Sequence, residues 1–274
     1  QGPASVGLLA SPHSTVEELW LARQLVHALG SDNIDYRLRH AECADAQGKV
    51  RWLGMPIAEL TTLDRALVIG SHLRKDHPLF AQRIRQAVRQ GAQVCAVAQT
   101  SPDWAMPVHA VLQADALDWT QALADIAAAV AAETGVQPPV ANPAGPMDTA
   151  VAIARSLLGG GRKAVLLGNA AAHHPQASSL LALAQWIAAQ TGARFGFLTE
   201  AANTVGAQCV GALPQVGGLT ARQMVQGTLK AAVLLQVEPQ WDCAAGEAAL
   251  QGLQPAQTVI TLSPFKTNLD ISDV

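Results

Sequence analysis

"LVIGSHLRKDHPLF" (residues 67–80) and "VLLGNAAAHHPQAS" (residues 165–178) decide the fold. Each is an apolar run, a glycine, a small polar residue, a loop, then His-Pro and a helical stretch. The first belongs to a longer unit. "RALVIG" (65–70) reads as a buried strand, and Pro78 suits a first helical turn, where the missing N–H costs nothing. Phe80, Ile84, Ala87 and Val88 give the next helix an apolar face, and Arg83, Arg85 and Arg89 a wet one. Gly91 closes it, and "QVCAVA" (93–98) is the next strand. Such a βαβ unit implies parallel strands with a right-handed crossover.

The same grammar runs outward in both directions. A strand at 5–9 leads to a helix with Ser14 and Glu17 as a capping box, Leu21, Leu25, Ala28 and Leu29 as its apolar spacing, and Gly30 at its end. "PVHAVLQA" is a short strand, followed by a helix that Asp118 starts. Residues 135–147, "GVQPPVANPAGPM", carry four prolines and two glycines and are read as a boundary. Beyond them come a helix, a strand, a helix with Leu180, Leu183, Ala184 and Ile187 inward and Gly192 at its end, and the strand "ARFGFL" (193–198). An irregular glycine-rich loop follows, then helix 220–227, strand 230–237, helix 243–251 and strand 257–262. Strands alternating with helices predict layered α/β structure with mostly parallel sheets. Gly70 against Gly168, Pro78 against Pro175 and Gly91 against Gly192 form a weak internal repeat. It predicts two related α/β units, one on each side of the proline-rich stretch.

Composition narrows the function. The 274 residues suffice for one large domain or two modest ones. The net charge is −3, with no basic surplus for phosphate neutralisation along a nucleic acid. Mean hydropathy is +0.19, and no apolar run reaches the ~18 residues a membrane helix needs. Cysteines at 43, 95, 209 and 243 match no zinc or iron–sulfur spacing and read as reduced thiols. The chain starts at Gln1 and stops after "DISDV", which suggests an excised piece of a longer polypeptide.

Gly70, Ser71, Gly168 and Asn169 are the candidate pocket residues, because open α/β sheets take ligands at the carboxyl ends of their strands. Neither turn carries a dinucleotide or phosphate-loop fingerprint, so a tight turn without a ligand is the competing reading. His72 and His77 in one loop, and His173 and His174 in the other, could meet around a metal only if two sheets faced each other. No nucleophile elbow is present, and no catalytic or metal-binding residue is assigned. Arg74, Lys75, Arg83, Arg85 and Arg89 read as a solvated helix face, and the six tryptophans as packing.

Three stretches together resemble molybdopterin oxidoreductases. They are "GLLASPHSTVEELWLARQLVHALGSDNID", "LVIGSHLRKDHPLFAQRIRQAVRQGAQVCAV" and the closing unit from "LKAAVLLQVEPQWD" to Asp273 and Val274. Within that superfamily, "SHLRKDHP" and "LLGNAAAHHPQAS…GFLTEAANTVGA" are similar to one subunit family of bacterial NADH:quinone oxidoreductase, respiratory complex I. That family keeps the molybdopterin-enzyme fold behind an N-terminal iron–sulfur region. The resemblance implies two Rossmann-like α/β domains, as in domains II and III of molybdopterin oxidoreductases. It implies a discontinuous layout, with residues 1–45 plus 140–274 in one domain and 46–139 inserted. It further implies a scaffold region without molybdopterin, with Ala98 and Gln99 standing where cofactor-binding relatives carry an acid and an arginine. Iron–sulfur clusters would belong to the parent subunit, upstream of Gln1. The partners would be that iron–sulfur region and neighbouring subunits of the peripheral arm, on the cytoplasmic side of the bacterial inner membrane. No nucleic acid and no membrane span enter this reading. A pterin-guanine-dinucleotide enzyme such as a formate dehydrogenase, and an α/β small-ligand-binding protein, stand as alternatives.

Overall fold

A computed structural model describes residues 2–42, 50–142, 145–265, 271 and 273. Along the chain come β1 (Val6–Ala10), α1 (Val16–Ala28), β2 (Ile34–Asp35), β3 (Arg65–Ile69), α2 (Leu73–Asp76), α3 (Pro78–Arg89), β4 (Gln93–Ala98) and β5 (Ala110–Gln113). The middle holds α4 (Trp119–Thr134), α5 (Asp148–Leu158), β6 (Lys163–Leu167), α6 (Asn169–Ala172), α7 (Ala177–Thr191) and β7 (Arg194–Phe197). The last stretch holds α8 (Thr204–Cys209), α9 (Ala221–Met224), β8 (Ala231–Leu235), α10 (Pro239–Asp242), α11 (Glu247–Leu253) and β9 (Thr258–Leu262). Among the described residues no helix is long and apolar enough to cross a membrane.

The chain forms two compact units: Gln1–Val50 with Glu200–Val274, and Arg51–Thr199. Both sheets are parallel, in the orders β2-β1-β8-β9 and β5-β4-β3-β6-β7. Parallel strands covered on both faces read as continuous apolar runs, and β3, β4 and β6 each bury four successive residues. In the second unit Leu67, Ile69, Cys95, Val97, Val165 and Leu167 face α4, α5 and α7. Ala66, Val68, Val94, Ala96, Ala164 and Leu166 turn the other way, toward Ala81 and Ile84 of α3 and the buried Trp104. This is the period-two alternation of a strand used twice.

The first unit repeats the arrangement at smaller scale. Leu8, Ala10, Val233 and Leu235 pack on Leu19, Ala22, Val26 and Ala207, while Leu9, Ala232, Leu234 and Val259 pack on α9 and α11. Two residues of the stretch "GSDNID" serve the frame directly. Asn33 donates to the carbonyls of Ala4 and Val6 and accepts the N–H of Leu219. Asp35, fully buried, accepts from the Arg37 guanidinium at 2.9 and 3.1 Å and from the Ala221 N–H at 3.0 Å.

Several expectations need correction. The inserted unit ends at Thr199, not near 139, because β6 pairs directly with β3 and draws residues 148–199 into the same sheet. The proline-rich stretch therefore joins α4 to α5 within one core, and the two halves of the internal repeat are adjacent strands of one sheet rather than two units. The other expected boundary, 45–46, falls outside the described residues, as do Cys43 and Val274. The capping box is Thr15 with Glu18, one residue later than expected: Glu18 N–H donates to Thr15 Oγ1, and Thr15 N–H to Glu18 Oε2. On α1 the buried stripe is Leu19, Ala22 and Val26, while Leu21, Leu25 and Leu29 are exposed. Two apolar stripes share one helix, and spacing alone does not say which turns inward. Asp118 stands at the start of α4 without a side-chain capping bond, and α8 forms within the stretch expected to be irregular.

Candidate functional site

In chain order the five strands of the second unit run third, second, first, fourth, fifth across the sheet. The order reverses between β3 and β6, and the connections leave toward opposite faces there. Ligands of open α/β sheets lie in that crevice, outside the carboxyl ends of the strands. Gly70 ends β3 and Gly168 ends β6, so the structure brings the sequence candidates Gly70, Ser71, Gly168 and Asn169 together at one place.

The crevice is occupied by the chain itself. Gly168 N–H donates to Ile69 O at 2.7 Å, and Ala170 N–H to Gly70 O at 3.1 Å. A methyl group on Gly168 would overlap the Gly70 carbonyl oxygen and lie 2.5 Å from Ser71 Cβ. Gly70 has φ +62°, and a methyl group there would stand 2.7 Å from the Trp119 ring and 2.9 Å from Ala171 N. Both glycines are thus required by close approach, one of them also by its backbone conformation.

Trp119 is 5% exposed and anchored by its indole N–H to Ala114 O at 3.2 Å. It stacks on His174, with ring centres 6.1 Å apart and planes at 22°. His174 is buried, and both its nitrogens are engaged by backbone: Nδ1 accepts the Gln176 N–H at 2.9 Å, so Nε2 carries the proton toward Ala116 O at 2.9 Å. Thr120 Oγ1 donates to Gln176 Oε1 at 2.9 Å and ties α4 to the same loop. With both nitrogens committed, His174 has no lone pair to offer a metal.

The first loop presents an acid rather than a base to the strand ends. Asp76 Oδ2 accepts from the His72 N–H at 2.8 Å and from Ser71 Oγ at 3.2 Å. A backbone amide that could meet a phosphate is therefore taken by a carboxylate. Arg74 turns to Asp103 at 2.6 Å, and Arg83 lies within 3.4 Å of Thr61 Oγ1. Burial pushes the His77 imidazole below its ordinary value, the Asp76 charge opposing, and its ring stacks on Phe80 at 5.7 Å. His72 Nδ1, His77 Nε2 and Asn169 Oδ1 are buried atoms without hydrogen-bond partners. β4 ends at Ala98, whose carbonyl accepts the Ala114 N–H, and Gln99 is exposed. The two histidine loops follow adjacent strands of one sheet, not facing sheets.

Sequence reasoning placed Trp119 and His174 only as packing and loop residues. A strand-end glycine hints at a close neighbour, but nothing local names a tryptophan some fifty positions away as that neighbour.

The profile of the molybdopterin oxidoreductase family matches residues 1–274. A curated relative, "Probable oxidoreductase YjgC" of Bacillus subtilis (strain 168), is 29% identical over 103 residues, 35% of this chain and 10% of the relative. The chain thus spans about a tenth of that relative's length. A chain of the formyltransferase/hydrolase complex from Methylorubrum extorquens, solved with methylofuran, shares the fold at a TM-score of 0.62 and 18% identity, over 96% of this chain and 75% of its own. With the profile spanning it from end to end, the chain belongs to the molybdopterin oxidoreductase family.

Proposed function

We propose that this chain is a molybdopterin-oxidoreductase-type scaffold that does not hold the pterin, and that it serves the peripheral arm of a bacterial NADH:quinone oxidoreductase. The observation that carries the first half is the filled crevice: Trp119, His174 and the opposed backbones of Gly70 and Gly168 stand where a nucleotide end would lie. The amide at His72 is taken by Asp76, and Arg74 on the same short helix is paired with Asp103. A pyrophosphate would meet the Asp76 carboxylate on the amide it needs and closely packed backbone at Gly70 and Gly168, so the residues at these strand ends do not fit a pterin dinucleotide. The second half rests on the sequence stretches "SHLRKDHP" and "GFLTEAANTVGA".

On this reading the electrons from NADH pass toward quinone through the iron–sulfur region of the parent subunit, outside this chain. The chain packs against that region and against neighbouring subunits, peripheral to the cytoplasmic face of the membrane. Metal analysis and acid release of small molecules from the purified chain test the first half. Substoichiometric molybdenum and tungsten with no released guanine nucleotide is expected; one metal and two nucleotides per chain would overturn it. Affinity purification of the tagged chain from its host tests the second half. NADH:quinone reductase activity should follow the tag.

Family membership itself favours a second reading, a pterin-guanine-dinucleotide oxidoreductase of the formate dehydrogenase kind. The same released-nucleotide assay separates the two.

A further inference from the structure

The first unit contains a half-open cavity of about 670 Å³ between α9, α11 and residues 38–41. That volume lies within the range of small-molecule sites. Its walls are Leu38, Val225, the backbone at Gly252 and five alanines, at 41, 221, 244, 245 and 248, with the buried Cys243 among them. Gly252 permits the close approach: a methyl group there would overlap Val225 O. The Cys243 thiol stays neutral, because burial foremost, aided by the Asp242 charge, pushes it up to about 12.

The polar groups gather at one side. Arg222 is exposed, with one guanidinium nitrogen donating to Ala41 O at 3.1 Å, which holds the head over the cavity's rim. Gln226 lies beside it, and His40 faces Glu200 at 3.3 Å. No carboxylate lines the cavity among the described residues. The helix-start amides nearby are spent, since Ala221 N–H goes to Asp35 and Gln223 N–H to Thr220. A phosphate therefore finds no cradle, whereas a single carboxylate can pair with the planar fork of Arg222.

We propose that this cavity binds a medium-chain carboxylate, its alkyl chain along the alanine-lined wall and its head on Arg222. The proposal concerns the first unit alone, and its test is independent of the pterin question. Titrating the ¹³C-alanine-labelled chain with decanoate should give saturable methyl shifts at Ala221, Ala245 and Ala248, with binding tighter than about 1 mM. Ala248→Phe, at an exposed wall position, should abolish them while circular dichroism is unchanged. Arg222→Gln should weaken decanoate about tenfold and leave decanol unaffected. Absence of shifts up to 1 mM, or full binding by the correctly folded Ala248→Phe chain, would overturn the proposal. So would shifts produced by phosphatidylglycerol vesicles but not by monomeric decanoate, which would mark a membrane-facing groove instead.

Discussion

Replacing Trp119 by alanine tests the packing of the crevice most directly. The ring is 5% exposed, lies against Gly70 and His174, and spends its N–H on Ala114. Buried Trp-to-Ala changes cost about 3–5 kcal/mol, the larger values where the surroundings cannot collapse. Collapse is hindered here: Gly70 and Gly168 already touch, and His174 is held by backbone at both nitrogens. About 4 kcal/mol is therefore expected, which for a unit of this size lowers its melting temperature by roughly 10 °C. Calorimetry of the whole chain reads the shift. Because the void is ring-shaped and keeps the Ala114 carbonyl as an acceptor for an indole N–H, millimolar indole should restore part of the loss. A loss below about 1 kcal/mol, with no response to indole, would mean that the ring does not seal the strand ends and that the packing argument fails.

Four further outcomes follow from the same geometry. Gly168→Ala, whose backbone tolerates a side chain, should cost about 1–3 kcal/mol through overlap with Gly70 and Ser71 alone, read by chemical denaturation. Asp35→Ala should cost about 3–5 kcal/mol by removing the buried carboxylate that both the Arg37 guanidinium and the Ala221 N–H use, again by denaturation, with Arg37→Met and Asp35→Leu together losing less. The Asp64 carboxyl is lowered to about 2, chiefly by the Arg162 and Gly161 N–H groups. Its contribution is therefore complete above the ordinary value of 3.8 and lost as pH falls through about 2. The wild-type advantage over Asp64→Asn in an acid-unfolding series should shrink across that window. Iodoacetamide at pH 8 should label the exposed Cys209 well before the buried Cys95 and Cys243, whose thiols burial keeps protonated; mass spectrometry reads the order.

Local chemistry made much of the frame legible. The runs at 65–70 and 93–98, Pro78 opening a helix, and the inward face of Leu180, Leu183, Ala184 and Ile187 are all as their residues dictate. What was not legible depends on pairing over long distances. Nothing near Lys163 says that β6 lies beside β3, so a dense cluster of prolines looked like the end of a domain when it only joins two helices. The phase of α1 was hidden for a related reason: its two apolar stripes are equally periodic, and the sheet chooses between them. The candidate glycines were found from their positions at strand ends, but their close neighbours were not, since Trp119 reaches Gly70 from a helix that follows another strand.

The second unit also ends its sheet in a particular way. Residues 52–54 run beside β7, with Phe197 N–H donating to Trp52 O at 2.9 Å and the glycines at 54 and 196 allowing backbone to meet backbone. That ribbon caps what would otherwise be an open ladder of amides and carbonyls. A bulky residue at Gly196 would lever it off and leave β7 free to recruit a strand from another molecule, so the two glycines guard solubility as much as they shape the fold.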